Sequence, residues 1–159
     1  MIDTSAIAAR GADIRLLVRE VEVAAPPLEV WSAWTTKAGI ESWWGPPDAE
    51  IDLRIGGPFE LFFIMDAEPG GRGGEGNRFL AYVPGEVLAF TWNAPPDLAL
   101  RDTQTWVVVT FASLQDGGHT HVRLVHTGFL TGPDWDAYVA YFENAWTRVL
   151  ARLADHWAG

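Results

Sequence analysis

The apolar positions of this chain change period three times, from strand-like alternation to helical spacing, back to alternation, and finally to one long helical stretch. Residues 13–23, DIRLLVREVEV, are rich in aliphatic and β-branched residues and are closed off by Pro26-Pro27, which predicts a first strand. Its apolar phase runs 14, 16, 18 and then 21, 23, a shift of one that a bulge or burial on both faces would produce. Pro27 suits the first turn of a helix, and Val30, Trp31 and Trp34 recur at helical spacing through about Thr36. A second short helix is predicted from about Lys37 to Trp44. It stops at Gly45-Pro46-Pro47, where glycine accepts a left-handed cap and proline cannot continue the helix.

The middle of the chain reads as a series of strands. Residues 50–54 run into the turn Gly56-Gly57-Pro58 and then FELFFIM at 59–65. FLAYV (79–83) and EVLAFTW (86–92) flank Pro84-Gly85, the signature of a type II turn. TWVVVTFASL (105–114) and HTHVRLVHTGF (119–129) flank a turn at Asp116-Gly117-Gly118. The stretch DAEPGGRGGEGN (66–77) has five glycines and no apolar anchor, so a mobile hairpin loop is expected there. NAPPDLALRDTQ (93–104) reads as a second loop. After Pro133, Trp135, Val139, Phe142, Trp146, Val149, Leu153 and Trp157 step by 4, 3, 4, 3, 4, 4, one sustained helix face. The expected architecture is α+β: a strand, two short helices, about six further antiparallel strands, and a long helix lying across one sheet face.

With 159 residues the chain is expected to fold as one domain over residues 13–159, preceded by a frayed tail at residues 1–12. Eleven Lys+Arg against twenty-one Asp+Glu give a net charge of −10, which repels phosphate backbones and anionic headgroups and argues against nucleic-acid and membrane-surface roles. No apolar run approaches the ~20 residues of a membrane span, and the first residues do not resemble a signal peptide. The absence of cysteine excludes disulfides and thiolate chemistry and suits a reducing cytoplasm. There is no nucleophile elbow, phosphate loop or dinucleotide fingerprint, so no cofactor is expected. His119 and His121 flank a turn without a carboxylate motif, which argues against a metal site.

The excess is tryptophan, nine in all. Four segments carry a family resemblance: AAPPLEVWSAWTTKAGIESWWGP (24–46), RIGGPF (54–59), VPGEVLAFTW (83–92) and VRLVHTGF (122–129). In this order they resemble the START/polyketide-cyclase superfamily with its helix-grip, birch-pollen-allergen-like fold. Within that superfamily they resemble the subfamily named after the C-terminal domain of the Hsp90 ATPase activator. The resemblance implies a curved antiparallel sheet of six to seven strands gripping the long helix, with the two short helices closing one end of an internal cavity. It also implies an apolar small-molecule ligand. Full activators resemble a two-domain design of which only the second part is matched, which argues against an Hsp90 interaction by this domain alone.

Strand parity then suggests which side chains face the helix. Leu88, Phe90 and Trp92 share a side; Glu60 outward sends Phe59, Leu61, Phe63 and Met65 inward; Arg123 outward sends Val122, Leu124 and His126 inward. In 105–114 both sides are apolar. The side with Thr105, Val107, Val109 and Phe111 is preferred inward because it carries the phenylalanine, which leaves Trp106 as an interface candidate. Adjacent residues Trp43 and Trp44 cannot share a helix face. Trp43, three residues after Ile40, is assigned inward, and Trp44 is assigned to a lid, edge or interface whose truncation costs little stability.

The candidate ligand-binding set is therefore Trp43, Phe63, Phe90, Trp92, Val109, His126, Tyr138 and Phe142. Three functions follow. The leading one is an apolar-ligand binder with its cavity between sheet and helix. The second is a cyclase-, aromatase- or hydrolase-like enzyme using His126, and with it Tyr138, for proton transfer, against the alternative that His126 is a hydrogen-bonded core histidine. The third is an interaction module, a chaperone partner or a homodimer, anchored by Trp44 and Trp106.

Overall fold

The computed structural model describes residues 15–159. The expected tail at 1–12, and the first two residues of the expected first strand, lie outside them. The described residues run β1 (Leu17–Val23), α1 (Pro27–Ser32), α2 (Lys37–Trp43), β2 (Asp48–Ile51), β3 (Phe59–Phe62), β4 (Phe79–Val83), β5 (Val87–Trp92), β6 (Thr105–Leu114), β7 (His119–Thr127) and α3 (Pro133–His156). Five strands form one antiparallel sheet in the order β1-β7-β6-β5-β4, and β2-β3 form a second, two-stranded sheet. Gly56 donates to the Phe79 carbonyl and Phe79 to the Gly57 carbonyl, both at 2.9 Å, so the small sheet hangs from β4. The turn between β4 and β5 is type II: Gly85 has φ +75, and Glu86 N–H donates to Val83 C=O at 2.9 Å.

Of the two causes expected for the phase shift in β1, a bulge is excluded, because the pairing with β7 runs without a break from Leu17 opposite His126 to Val23 opposite Thr120. Leu17, Arg19, Val21 and Val23 share the helix-facing side. Arg19 interrupts the apolar pattern because its stem runs over the core to α3, where Nε donates to Thr147 Oγ1 and Nη2 to the Glu143 carbonyl, both at 3.0 Å.

On α3 the deeply buried residues are Trp135, Tyr138, Phe142, Trp146, Leu150 and Leu153. Their spacing follows the 3.6-residue turn, so Leu150 takes the deep position expected for Val149, and Val139, Val149 and Trp157 pack at the margin. Opposite them lie Leu88, Phe90 and Trp92 of β5, Thr105, Val107, Val109 and Phe111 of β6, and Val122, Leu124 and His126 of β7, all buried. Trp106 points away, 44% exposed on the outer sheet face.

Two expectations are corrected. Phe59 and Leu61 are buried, but β3 ends at Phe62, and the N–H groups of Phe63 and Ile64 both turn to the Arg72 carbonyl. This bend ends the alternation, so Phe63 (40% exposed) and Met65 are not interior residues. Trp44 is not an edge residue either: at 5% exposure it is as buried as Trp43.

The adjacent indoles do not part to opposite sides: their ring centroids lie 5.3 Å apart, and α2 packs both rings against Trp34. The Trp34 ring lies 4.9 Å from Trp43 and 5.8 Å from Trp44, and Trp44 continues to Trp92 at 5.5 Å and Trp146 at 5.7 Å, centroid to centroid. Trp43 Nε1 donates to the Ala33 carbonyl, and Arg152 Nη1 to the Trp44 carbonyl at 2.6 Å. Gly45, at φ +83, lets the chain leave the helix directly behind the pair.

Burial of both rings makes their truncations equivalent. Trp43→Ala and Trp44→Ala should each lower unfolding free energy by about 3–5 kcal/mol in urea titrations, whereas Trp106→Ala should change it by less than about 1 kcal/mol. A Trp44→Ala protein as stable as the wild type would contradict this packing.

Candidate functional site

The inner surface of the sheet carries one polar chain. His126 on β7 receives Trp146 Nε1–H on Nδ1 at 2.9 Å, which leaves the ring proton on Nε2, 2.6 Å from Thr105 Oγ1. Thr105 on β6 donates its only hydroxyl proton to the Trp92 carbonyl of β5 at 2.9 Å. The Tyr138 hydroxyl, 3.1 Å from Thr105 Oγ1, must therefore be the donor in that contact. Every nitrogen and hydroxyl in the chain has a partner.

Burial pushes His126 down to about 3, so its ring is neutral across the physiological range. Burial likewise raises Tyr138 to about 12, against the opposing effects of its Thr105 hydrogen bond and the Arg101 charge, which keeps its hydroxyl a donor. Phe129 and Phe142 close over the imidazole at 4.7 and 4.9 Å. His126 thus meets the description of a hydrogen-bonded core histidine, and it has neither a free lone pair nor an available proton to offer a substrate.

These side chains occupy the middle of the layer between sheet and helix. Open volume, about 390 Å³, lies between the end of the sheet and α3. One wall is α3, through Phe142, Ala145, Trp146 and Val149. The floor is Trp44 at the end of α2 with Trp92 at the end of β5, and the rim is formed by Phe63, Ile64, Gly73 and residues 93–96, with Tyr141, Arg148 and Arg152 from the outer side of α3. Trp44, Trp92 and Trp146 form a triangle of rings with centroids 5.5, 5.6 and 5.7 Å apart.

The rim loops are held by polar contacts that hydrophobic patterning does not register. Arg101 Nη1 donates to the Gly73 carbonyl at 2.6 Å and to the Ala94 carbonyl, joining the glycine-rich loop to the loop after β5. The Glu75 carboxylate accepts from Gly73 N–H at 2.8 Å and Arg72 N–H at 3.0 Å and faces Arg101 Nη2 at 3.3 Å. Burial opposes its ionisation, yet the backbone N–H groups of Arg72, Gly70 and Gly73 hold its carboxyl below the usual range. The segment expected to be a mobile loop without an anchor therefore has a carboxylate and a guanidinium as anchors.

Of the candidate ligand-binding residues, Phe63, Trp92 and Phe142 line the cleft. Trp43, Phe90, Val109, His126 and Tyr138 are buried and do not line it. Trp44 joins the floor from a buried position, and Trp106 lies on the opposite sheet face. Pattern reading missed Trp146 as a lining residue, because helical periodicity marks it as core without marking which core side chains border open space. Nothing in the sequence singles out Arg148 and Arg152. His119 and His121 face Glu22 and Glu20 at 3.2 and 3.7 Å on the exposed side of β1 and β7.

A long C-terminal helix laid across an antiparallel sheet, with two short helices after the first strand, is the helix-grip arrangement of START-like proteins. Residues 24–158 match the family model described as "Activator of Hsp90 ATPase homolog 1-like protein", and the chain belongs to that family. Among solved structures it is similar to protein MLL2253 from Mesorhizobium loti, with a TM-score of 0.67 and 24% identity over 89% of this chain and 96% of that one. It is also similar to Aha1 from Colwellia psychrerythraea, solved as a dimer, with a TM-score of 0.67 and 18% identity over 90% and 96% of the two chains. A third likeness is PFC0360w, an HSP90 activator from Plasmodium falciparum, with a TM-score of 0.63 and 21% identity over 84% and 88%. No curated protein gives a significant match. At these identities the structures share the fold. Among the described residues no helix is long and apolar enough to cross a membrane.

His126 couples the polar chain to pH. Its pKa is lower folded, about 3, than the ordinary value of 6.5, so the unfolded chain takes up the proton first. The stabilisation is complete above about pH 6.5 and is lost as pH falls towards 3, with a slope of up to about 1.4 kcal/mol per pH unit. His126→Leu should cost about 1–3 kcal/mol at pH 7, because Trp146 N–H loses its acceptor. It should also flatten the decline below pH 6, measured by urea unfolding across that range.

Proposed function

We propose that the protein binds an apolar small molecule, aromatic or lipid-like, in the cleft floored by Trp44 and Trp92 and walled by Trp146 and Phe142. The observation that carries this reading is the roughly 390 Å³ of open space bordered by a triangle of tryptophans. That volume falls within the ~300–1,000 Å³ of small-ligand sites, which are apolar with few polar groups. The rings are already packed against one another, so a ligand would not have to order them first. The tryptophans are nearly closed off already, so the apolar surface a ligand would cover is mainly that of Phe63, Ile64 and Tyr141 at the rim, contributing about 25 cal/mol per Å² removed from water. Binding, rather than catalysis, suits a site whose neighbouring imidazole has both nitrogens occupied. A cysteine-free chain of this kind suits a reducing cytoplasm.

A second reading rests on Trp106. An indole 44% exposed on a sheet face is a fitting anchor for a homodimer, and the Colwellia relative is described as a dimer. Sedimentation of wild type and Trp106→Ala should then show a dimer that the substitution disrupts.

The cleft reading is tested with the neutral fluorophore N-phenyl-1-naphthylamine. The wild type should enhance its emission saturably. Ala145→Trp, which fills the cleft from α3, should weaken binding at least tenfold without lowering the thermal midpoint. Absence of dye binding, or undiminished binding by a folded Ala145→Trp protein, would sink the proposal.

A further inference from the structure

The cleft is apolar except at its mouth, where two arginines stand one helical turn apart on α3. Acidic groups outnumber basic ones twenty-one to eleven in this chain, and most of the described cations have a carboxylate in reach. Arg15, Lys37, Arg54, Arg78, Arg101 and Arg123 pair with Asp136, Asp48, Asp52, Glu60, Glu75 and Glu20 respectively. Arg19 and Arg72 are committed to hydroxyl and carbonyl oxygens. Arg148 has no hydrogen-bond or ionic partner among the described residues. Arg152 gives one N–H to the Trp44 carbonyl and meets no carboxylate among them.

Local sequence offers Arg152 only Asp155, three residues on, with which it forms no ion pair, and it offers Arg148 no carboxylate at helical spacing. Arg148 has Asn144 four residues before it and Arg152 four residues after it, with Ala145 and Ala151 at three. Like charges at that spacing destabilise a helix by a few tenths of a kcal/mol. An acidic protein thus leaves two cations unneutralised where they border an aromatic cavity.

Resting on the proposed cleft site, we infer that its ligand is an apolar acid: a ring or chain that occupies the tryptophan-lined space, with one carboxylate held at Arg148 and Arg152. The guanidinium fork matches a carboxylate with two parallel N–H donors, and Arg152 keeps donors to spare after its bond to Trp44. Both arginines are exposed in the free protein, so the contact gains from its bidentate, charge-assisted geometry rather than from burial. The ligand's charge also relieves the Arg148–Arg152 repulsion. The acidic surface elsewhere repels anions, so selection between an acid and its neutral analogue falls to these two residues.

Two matched pairs test this: 2-naphthoate against 2-naphthylmethanol, and decanoate against decanol, titrated calorimetrically at pH 7.5 into wild type and Arg148→Gln. In a pair that binds, the acid should be favoured at least tenfold. Arg148→Gln should remove most of that preference while leaving the alcohol's affinity within about twofold, and added salt should weaken only the acid. Arg148→Gln is the cleaner variant, since Arg152 also supports the Trp44 carbonyl; a matching thermal midpoint verifies its fold. Equal binding of acid and alcohol overturns this inference and leaves the cleft as a neutral-ligand site. Binding by none of the four overturns the cleft site as well.

Discussion

The structure depends on one hydrogen-bonded chain buried under the long helix. Trp146 donates to His126, His126 to Thr105, and Thr105 to the Trp92 carbonyl, so α3 is tied in sequence to β7, β6 and β5. Apolar packing alone would let a helix slide or rotate on a sheet at modest cost, because it has no direction. A directional chain with every donor and acceptor used admits one placement, since any shift strands a buried polar group. Tyr138, two turns earlier on the helix, meets the same threonine and fixes a second point.

The cleft is a consequence of that placement. Its wall and part of its floor are Trp146 and Trp92, the two ends of the chain, and Trp44 completes the triangle because α2 is wedged against both. Across the opening, Arg101 and Glu75 hold two loops by carbonyl and N–H contacts. The result is a cavity whose walls are set by the core and whose rim is set by polar anchors. The only unneutralised cations at it are Arg148 and Arg152, among the described residues. A histidine that would suggest proton transfer serves instead to hold the aromatic walls in position.

The sequence conveyed the elements better than the site. Proline and glycine punctuation located the short helices and the Pro84-Gly85 turn because those residues act through their own backbone geometry. Parity placed the inner faces of β5, β6 and β7 because alternation is a property of each strand. It failed at Phe63, where the strand stops, since the bend depends on the Arg72 carbonyl nine residues away. In β1 the unbroken register came with an arginine on the inner side, a position that pattern alone reads as a phase shift. The Glu75–Arg101 anchor was invisible because both residues lie in loops whose approach local sequence does not encode.

By itself, the sequence determined the α+β order, the helix-grip likeness, the apolar faces and the acidic surface, because period, turn chemistry and charge are local or additive quantities. Only the tertiary structure decided which aromatic residues fill the core and which border open space. An indole on an inward face has the same local signature in either case, and the difference lies in what packs opposite it. The same holds for Trp43 and Trp44: helix geometry separates the directions in which they leave the backbone, but their rings lie 5.3 Å apart and both are buried because Trp34, Trp92 and Trp146 meet at the end of α2.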